Sequence, residues 1–367
     1  MPVGKSGKML KQLQEIYQGK KVFLTGHTGF KGSWLLKILS ILGAEVRGYA
    51  LAPQHPFDLY DVLNGATLCD SVIADLREKV LLKEALLDFQ PDFVFHLAAQ
   101  PLVRLSYEVP AETFETNAIG TAYLLDAIRN LYKPCQVVLI TTDKVYHNNE
   151  WLYPYRETDR LGGYDPYSAS KAAAEIVIDS YRNCFFNVDQ YPEHKKAVAV
   201  ARAGNVIGGG DWSKDRLIPD IVRALSKKEA VQIRNPNSIR PWQHVLEPLI
   251  GYLILGGKLV SEPRLHAQAY NFGPDSQDAL PVFEMVNTAI KCWGEGGYET
   301  VKMLAEPHEA GLLKLDISKA VAQLKWKPKL NAFQAIEKTI NWYKHHLDDE
   351  QDIIAFTEKQ IKDFIKN

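Results

Sequence analysis

A tyrosine and a lysine four residues apart, Tyr167 and Lys171 in the segment YSASK, have the clearest potential for chemistry in this sequence. On a helix this spacing places both side chains on one face. An ammonium group near a phenol stabilises its anion, which lets the tyrosine act as a base near neutral pH. The pair therefore predicts a tyrosine base, and solvated helix faces that show the same spacing are the alternative.

A second pair of ionisable residues stands at the end of an apolar run. The segment VVLITT, residues 137–142, is typical of a buried strand, and Asp143 and Lys144 follow it directly. Ligands of open parallel sheets bind beyond the carboxyl ends of the strands. An acid and a potential base at this place indicate a site of proton transfer, whereas packing and solvation at a strand end would be the structural interpretation.

A glycine-rich turn, GHTGFKG, lies between a strand predicted over 21–25 and a helix predicted over 33–42. Glycines let the backbone approach a ligand closely, and the start of a helix offers N–H groups and a positive dipole to a pyrophosphate. Tight packing alone is the other interpretation of such a turn. We predict a dinucleotide held by Gly26, Thr28, Gly29, Phe30, Lys31 and Gly32.

The remaining cofactor contacts are predicted at the ends of later strands. The strand predicted over 45–51 is not followed by the acidic residue that usually binds the adenosine ribose, so the choice between NAD and NADP stays open. Asp75, at the end of a short strand over 72–76, is placed to meet an adenine amino group, or else is a surface aspartate. The other predicted contacts are Leu76, Leu97, Ala98, Ala99, Asn117, Thr141, Tyr167 and Lys171.

The composition is that of an ordinary globular protein: 367 residues, 46% hydrophobic, 24% charged and a net charge of −1. The charge argues against nucleic acid as a partner, and no apolar run is long enough to span a membrane. The start of the chain lacks the apolar core of a signal peptide, so we expect the cytoplasm. The four cysteines are widely spaced, so we expect free thiols, mostly in the core, and no metal site.

Beyond residue 203 the alternation of strand and helix breaks down. Proline, tryptophan and arginine become frequent between 212 and 242, which indicates a region that covers the substrate. We expect residues 1–203 to form mainly the dinucleotide-binding domain, with a disordered or helical extension over 1–20. Residues 204–367 should form mainly the substrate domain, with segments that return to the main sheet. Arg240 and His244 are candidates for binding a charged ligand, because the guanidinium fork suits phosphate oxygens.

Taken in order, GHTGFKG, HLAAQ, Asn117, TTDKVY and YSASK resemble the extended short-chain dehydrogenase/reductase superfamily. More narrowly, GHTGFKGSWL, TTDKVY, RAGNVIGGGDW and RPWQHVLEPL look like the family of CDP-glucose 4,6-dehydratases, which begins the CDP-linked branch of 3,6-dideoxyhexose synthesis. The resemblance implies an α/β fold, namely a doubly wound parallel Rossmann sheet with a smaller, interleaved C-terminal domain for the nucleotide sugar. It also implies a homodimer, formed through paired helices, or a dimer of dimers.

The resemblance further implies roles for individual residues. Tyr167 with Lys171 would take the 4-hydroxyl proton, Thr142 would bond the sugar near its 4-oxygen, and a protonated Asp143 would help water to leave from position 6. Related dehydratases carry glutamate where this chain has Lys144, and a lysine serves as the base at position 5 only when deprotonated. Expected substrate contacts are Gln100, Arg104, Arg202, Asn205, Asp211, Arg216, Arg234, Arg240 and His244.

Two other functions fit parts of the pattern. A 4-epimerase of the same superfamily would share the tyrosine and lysine, but it would not need Asp143 and Lys144. A binding protein that senses dinucleotides would keep the fold, although such proteins typically lose the tyrosine or the lysine, and both are present here. The residues themselves do not reveal the nucleotide base, so cytosine and the other bases stay open at this point.

Overall fold

The computed structural model describes residues 7–55, 57–301, 312–348 and 352–366. Seven parallel strands form one sheet, and from one edge to the other they are Ala269–Phe272, Lys196–Ala203, Cys135–Thr141, Phe93–His96, Lys21–Thr25, Glu45–Ala50 and Asp70–Ile73. The first six strands of the chain thus follow the order 3-2-1-4-5-6 that is typical of a dinucleotide-binding sheet, with one more strand beyond the sixth. The doubly wound Rossmann sheet predicted from the sequence is thereby confirmed.

The first part of the chain supplies six of these strands, alternating with helices. In order, the elements are α1 (Lys8–Tyr17), β1 (Lys21–Thr25), α2 (Phe30–Ile41), β2 (Glu45–Ala50), α3 (Leu59–Val62), β3 (Asp70–Ile73), α4 (Lys79–Phe89), β4 (Phe93–His96), α5 (Val103–Glu108), α6 (Pro110–Phe114), α7 (Gly120–Ile128), β5 (Cys135–Thr141), α8 (Pro166–Cys184), α9 (Tyr191–His194) and β6 (Lys196–Ala203).

The second part contains shorter strands and longer helices. Its elements are β7 (Val206–Ile207), α10 (Leu217–Ser226), β8 (Val231–Ile233), β9 (Ile239–Arg240), β10 (Gln243–His244), α11 (Leu246–Ser261), α12 (Pro263–His266), β11 (Ala269–Phe272), β12 (Leu280–Pro281), α13 (Val282–Trp293), β13 (Tyr298–Thr300), α14 (Ala332–His346) and α15 (Ile353–Lys366). Of these, β11 joins the main sheet beside β6, and the other strands form three two-stranded ribbons.

Alternating side chains of the sheet face two apolar layers. Val22 and Leu24 belong to the cluster that includes α2 and α11, whereas Phe23, between them, packs in the cluster with α4, α7 and α8. Every residue of β5 and β6 is buried, as expected for central parallel strands covered on both faces. The two layers fix the carboxyl edge of the sheet, and the predicted site residues lie there.

Several details differ from the sequence predictions. Cys135 is buried in the core, Cys69 and Cys292 are half-buried against it, and Cys184, which was expected with the others to be mostly in the core, is exposed. The predicted leading helix is present as α1, and it buries Leu13 and Tyr17. Within the described ranges, no helix is both long and apolar enough to cross a membrane. The division of the chain at residue 203 stays a prediction.

Candidate active site

The glycine turn after β1 is a close-packed cradle at the start of α2. Gly26 has φ 75, a left-handed conformation that favours glycine, and a Cβ there would lie 2.7 Å from the backbone nitrogen of Ala98. A Cβ on Gly32 would lie 1.9 Å from the carbonyl oxygen of Gly26. Gly29, the residue before α2, leaves more room, because its nearest atom would be 3.5 Å away. This geometry fits the pyrophosphate of a dinucleotide.

The residues predicted to contact the cofactor beyond the glycines include Asp75, Leu76 and Thr28. Asp75 follows β3, and its carboxylate accepts hydrogen bonds from the guanidinium and the backbone N–H of Arg77, which lower the pKa of the carboxyl group. Leu76 is buried beside Gly120. Thr28 donates to the carbonyl oxygen of Leu51, at the end of β2, where the sequence provides no acidic residue.

Asn117 connects the segment after β4 to α8. Its amide donates to the Ser170 hydroxyl at 2.8 Å and to the carbonyl oxygen of Gln100, and its own oxygen accepts the Gln100 N–H. The side chain of Gln100 is used to bond Thr113 and the backbone of Leu102. These bonds hold the backbone at the end of β4 against the helix that carries Tyr167.

A cleft of about 1100 Å³ opens at the carboxyl edge of the sheet, and the chemical residues meet in its wall. Thr142, Asp143 and Lys144 reach it from the end of β5, and Tyr167 reaches it from the first turn of α8. That helix begins with Pro166, and the Asp165 side chain accepts the N–H of Ser168, which is a normal helix cap. Residues that are separate in the sequence therefore share one cavity.

Burial has the largest effect on the pKa values of the predicted tyrosine–lysine pair. It raises the pKa of Tyr167 to about 12, whereas a hydrogen bond with the Thr142 side chain acts in the opposite direction. Burial lowers the pKa of Lys171 to about 8, and nearby Glu175 raises it. The Lys171 ammonium donates to the carbonyl oxygen of Ile140 at 3.1 Å.

The carboxylate of Asp143 accepts a hydrogen bond on each of its oxygens. One carboxylate oxygen of Asp143 accepts the Thr142 hydroxyl at 2.9 Å, and the other accepts the side-chain amide of Asn205 at 3.1 Å. Asp143 is 3% exposed, so it meets the cleft as a buried and oriented group. Lys31 of α2 lines the same cleft, and burial, together with the charges of Lys171 and Arg216, lowers its pKa to about 7.

The wall of the cleft is also rich in cations, as predicted for a diphosphate. Arg216 pairs with Asp211 at 2.8 Å, and Asp215 lies 3.5 Å from Arg104 and 3.2 Å from Arg234. All five residues line the cleft, and so does Arg240. The structure thus brings together most of the residues predicted to contact the substrate.

Three predicted substrate residues, Gln100, Arg202 and His244, are not among those that line the cleft. Arg202 is buried within β6, where its guanidinium donates to Glu175 and to the Tyr146 hydroxyl. His244 is fully buried in β10, and burial lowers its pKa to about 3, so it is neutral. Arg202 does not reach the cleft because buried polar partners surround it, and His244 does not because it lies in the core.

Sequence reasoning missed several residues of the site. Gly204 matters because a Cβ there would lie 2.0 Å from the carboxyl carbon of Asp143. Glu175 accepts hydrogen bonds from Thr141 and Arg202, and its position four residues after Lys171 was a signal available in the sequence. Arg223 also lines the cleft, on α10.

Comparison with known proteins shows that the chain is similar to proteins named as dehydratases and epimerases of nucleotide sugars. Residues 23–251 match the family model described as GDP-mannose 4,6 dehydratase. A CDP-glucose 4,6-dehydratase from Salmonella typhimurium is 46% identical over 96% of this chain and 98% of its own.

Solved structures share the fold at lower sequence identity. A UDP-glucose 4-epimerase from Thermotoga maritima, solved with UDP-glucose, has a TM-score of 0.77 and 20% identity over 89% of this chain and all of its own. A dTDP-glucose 4,6-dehydratase from Streptomyces venezuelae, solved with NAD, has a TM-score of 0.74 and 21% identity over 88% of this chain and 97% of its own.

Proposed function

This chain belongs to the GDP-mannose 4,6-dehydratase family, and we propose that it is a CDP-glucose 4,6-dehydratase. The reaction converts CDP-D-glucose into CDP-4-keto-6-deoxy-D-glucose and water. One observation carries the proposal: a tyrosine base, Tyr167, and an adjacent acid and lysine, Asp143 and Lys144, line the same cleft. A simple dehydrogenase or an epimerase would need only the tyrosine.

The chain's own residues account for the proton transfers. Tyr167 takes the proton of the 4-hydroxyl while Thr142 bonds the 4-oxygen, and the resulting 4-ketone acidifies the hydrogen at position 5. Lys144 is the base that we assign to that proton, and Asp143 gives a proton to the 6-hydroxyl, which leaves as water. The proton on Lys144 then returns to position 5. The proton that Tyr167 took replaces the one that Asp143 gave, so only water is lost overall.

The cofactor we propose is NAD. It supplies the hydride chemistry of the reaction, because when bound it accepts hydrogen from position 4 and gives it back at position 6. The cradle of Gly26, Gly29 and Gly32 fits its pyrophosphate, and Asp75 lies at the predicted adenine end. Two dTDP-glucose 4,6-dehydratases of the same fold were solved with NAD, which supports NAD over NADP.

The cationic wall fits the diphosphate of the substrate. Arg216, Arg234 and Arg240 line the cleft on segments after β6. A guanidinium group can donate two parallel hydrogen bonds to phosphate oxygens, and each such charge-assisted contact typically contributes ~1.5–3 kcal/mol. Cytosine as the base is proposed from the 46% identity to the Salmonella typhimurium enzyme.

We also propose that the protein acts as a homodimer in the cytoplasm. Apolar side chains at the ends and outer faces of α6 to α8 are exposed: Phe114 by 38%, Ile119 by 43% and Ile176 by 63%. Pairing of these helices between two copies would cover them. Four cysteines without a disulfide and a nucleotide-sugar substrate fit a reducing compartment. The mass in solution, measured by light scattering, tests the dimer.

The acid provides the test that separates a dehydratase from an epimerase. Asp143→Asn should still allow oxidation at position 4 but should stall the loss of water, so reduced nicotinamide accumulates in a single turnover with CDP-glucose. Lys144→Ala should show the same trapping, because the proton at position 5 stays in place. If both variants turn over like the wild type without trapping, the roles proposed for Asp143 and Lys144 are refuted.

A further inference from the structure

We propose that Asn205 is a positioning residue for elimination: its amide fixes Asp143 so that one particular carboxylate oxygen, the one beside Thr142, delivers the proton to the departing hydroxyl. The proposal rests on the proposed function, because only a dehydratase needs Asp143 to donate a proton to a departing hydroxyl. It gives Asn205 a role other than a contact with the substrate.

The two oxygens of Asp143 have different partners. Oδ2 accepts the Asn205 amide at 3.1 Å, and Oδ1 accepts the Thr142 hydroxyl at 2.9 Å. An amide NH₂ group can only donate, so Oδ2 must remain an acceptor whether the carboxyl group is charged or neutral. A hydroxyl can donate or accept, so the oxygen beside Thr142 is free to carry a proton.

The backbone around Asn205 is built for this contact. Asn205 has φ 49, a left-handed conformation that is uncommon for residues other than glycine and in which asparagine is enriched. Gly204, just before it, lies against the Asp143 carboxylate, since a Cβ there would be 2.1 Å from both oxygens. The end of β6 therefore passes so close below the acid that only a glycine fits, and the next residue turns its amide back toward it.

Asparagine satisfies both demands at this position. It tolerates the left-handed backbone, and it supplies a donor of the right length to a carboxylate at the neighbouring strand end. Aspartate would keep the shape and the backbone preference but would set a second carboxylate against Asp143. Two facing carboxylates do not both ionise readily, so such a pair retains a proton to higher pH.

Other charged groups also face the acid, and the pH dependence must be compared against them. Asp143 affects the pKa values of Lys31 on α2 and of Tyr167 on α8, so both lie within its field. A small second cavity is lined by Asp275 and Lys314 as well as by Asp143. Because the Asn205 variants leave all of these groups in place, a difference from the wild type reports on the side chain at position 205.

The experiment uses full-length protein loaded with NAD, mixed rapidly with CDP-glucose across a range of pH. The variants are Asn205→Gly, which keeps the left-handed backbone, and Asn205→Asp, which keeps the shape. Asn64→Gly is the matched control, because Asn64 is also left-handed, with φ 52, and lies outside the cleft. Reduced nicotinamide is followed over time, together with the formation of the 4-keto product and the KM.

For Asn205→Gly we expect reduced nicotinamide to form at the wild-type rate and to decay roughly 10- to 100-fold more slowly, as loss of a charge-assisted bond implies. For Asn205→Asp the pH above which decay slows should move upward by about one unit or more. Asn64→Gly should match the wild type.

A rise in KM with an unchanged decay would show that Asn205 only contacts substrate, and a uniform loss in both phases at every pH would show a merely structural role. Either result overturns the proposal. If the wild type forms no 4-keto product from any nucleotide sugar, the proposed function fails first, and that failure is seen without any variant.

Discussion

The surroundings of the Tyr167 hydroxyl shift its pKa in opposite directions. Burial raises its pKa to about 12, while the Thr142 hydrogen bond and the Arg216 charge work to lower it. Without ligands the phenol is therefore protonated at neutral pH. To act as a base it needs additional positive charge close to the ring, and Lys171, with a pKa of about 8, is one group available nearby on the same helix.

Tyr167→Phe removes the proton acceptor and leaves the ring in place. We expect binding of CDP-glucose to change little, while turnover falls by about two orders of magnitude or more, as is usual when a general base is removed. Calorimetric titration and steady-state assays of product measure the two quantities. Tyr132→Phe, the same substitution at a tyrosine that is 83% exposed and outside the cleft wall, serves as the control for loss of a phenol hydroxyl group. Near-normal turnover of Tyr167→Phe would contradict the assignment.

Spacing in the sequence could predict Tyr167, Lys171 and Asp143, because helix periodicity and strand ends constrain where such side chains point. It could not place Arg202 or His244. An arginine in a fully buried strand is compatible with substrate binding or with an internal partner, and here Glu175, from a different element, pairs with it. Such pairing depends on contacts between distant parts of the chain.

The strand β1, the glycine turn and α2 form a unit that the sequence pattern was sufficient to predict. Only its boundaries moved: α2 begins at Phe30, three residues before the predicted start, because Gly29 already serves as its N-cap. The chain after β6 was less predictable. Its strands are two to four residues long, too short for an alternating pattern to appear.

Two glycines of this turn should respond differently to alanine. Gly32→Ala places a Cβ 1.9 Å from the Gly26 carbonyl oxygen, so α2 must shift, and we expect lower stability together with weaker NAD binding. Gly29→Ala meets its nearest atom at 3.5 Å, so stability should hold while NAD binding weakens, because the methyl group occupies the approach of the pyrophosphate.

Thermal unfolding without ligand and titration with NAD separate the two effects. Gly297→Ala is a control, since nothing lies within 4 Å of the added Cβ and the residue is outside the turn. Equal effects of Gly29→Ala and Gly32→Ala on the stability of the unliganded protein would contradict the packing argument.

A buried carboxyl group joins two segments that are distant in the chain. Glu247, in the first turn of α11, accepts the backbone N–H groups of Lys329 and Leu330 at 2.8 and 2.7 Å. Burial raises its pKa to about 7 from the model-peptide value near 4.5. Between these values the folded protein binds more protons at this site than the unfolded chain, so the free energy of unfolding falls as pH rises.

Glu247→Gln keeps an oxygen acceptor and removes the titration. We expect the wild type, compared with this variant, to lose about 2–4 kcal/mol of stability between pH 4.5 and 8. Chemical denaturation at several pH values measures the difference, with Glu15→Gln on an exposed face of α1 as the control. A difference that stays constant with pH would show that Glu247 does not titrate as described. The long-range contact itself, 82 residues apart in sequence, could not be predicted from local pattern.

Dehydration of CDP-glucose in this cleft can be measured with the wild-type protein alone. Purified protein with NAD is incubated separately with CDP-, dTDP-, GDP- and UDP-glucose, and each mixture is analysed by mass and for a 4-keto sugar. We expect CDP-glucose to lose one water and to give the 4-keto product at a rate well above the other three. A product of unchanged mass, with the configuration at position 4 inverted, would show an epimerase, and faster dehydration of another nucleotide sugar would contradict the substrate assignment.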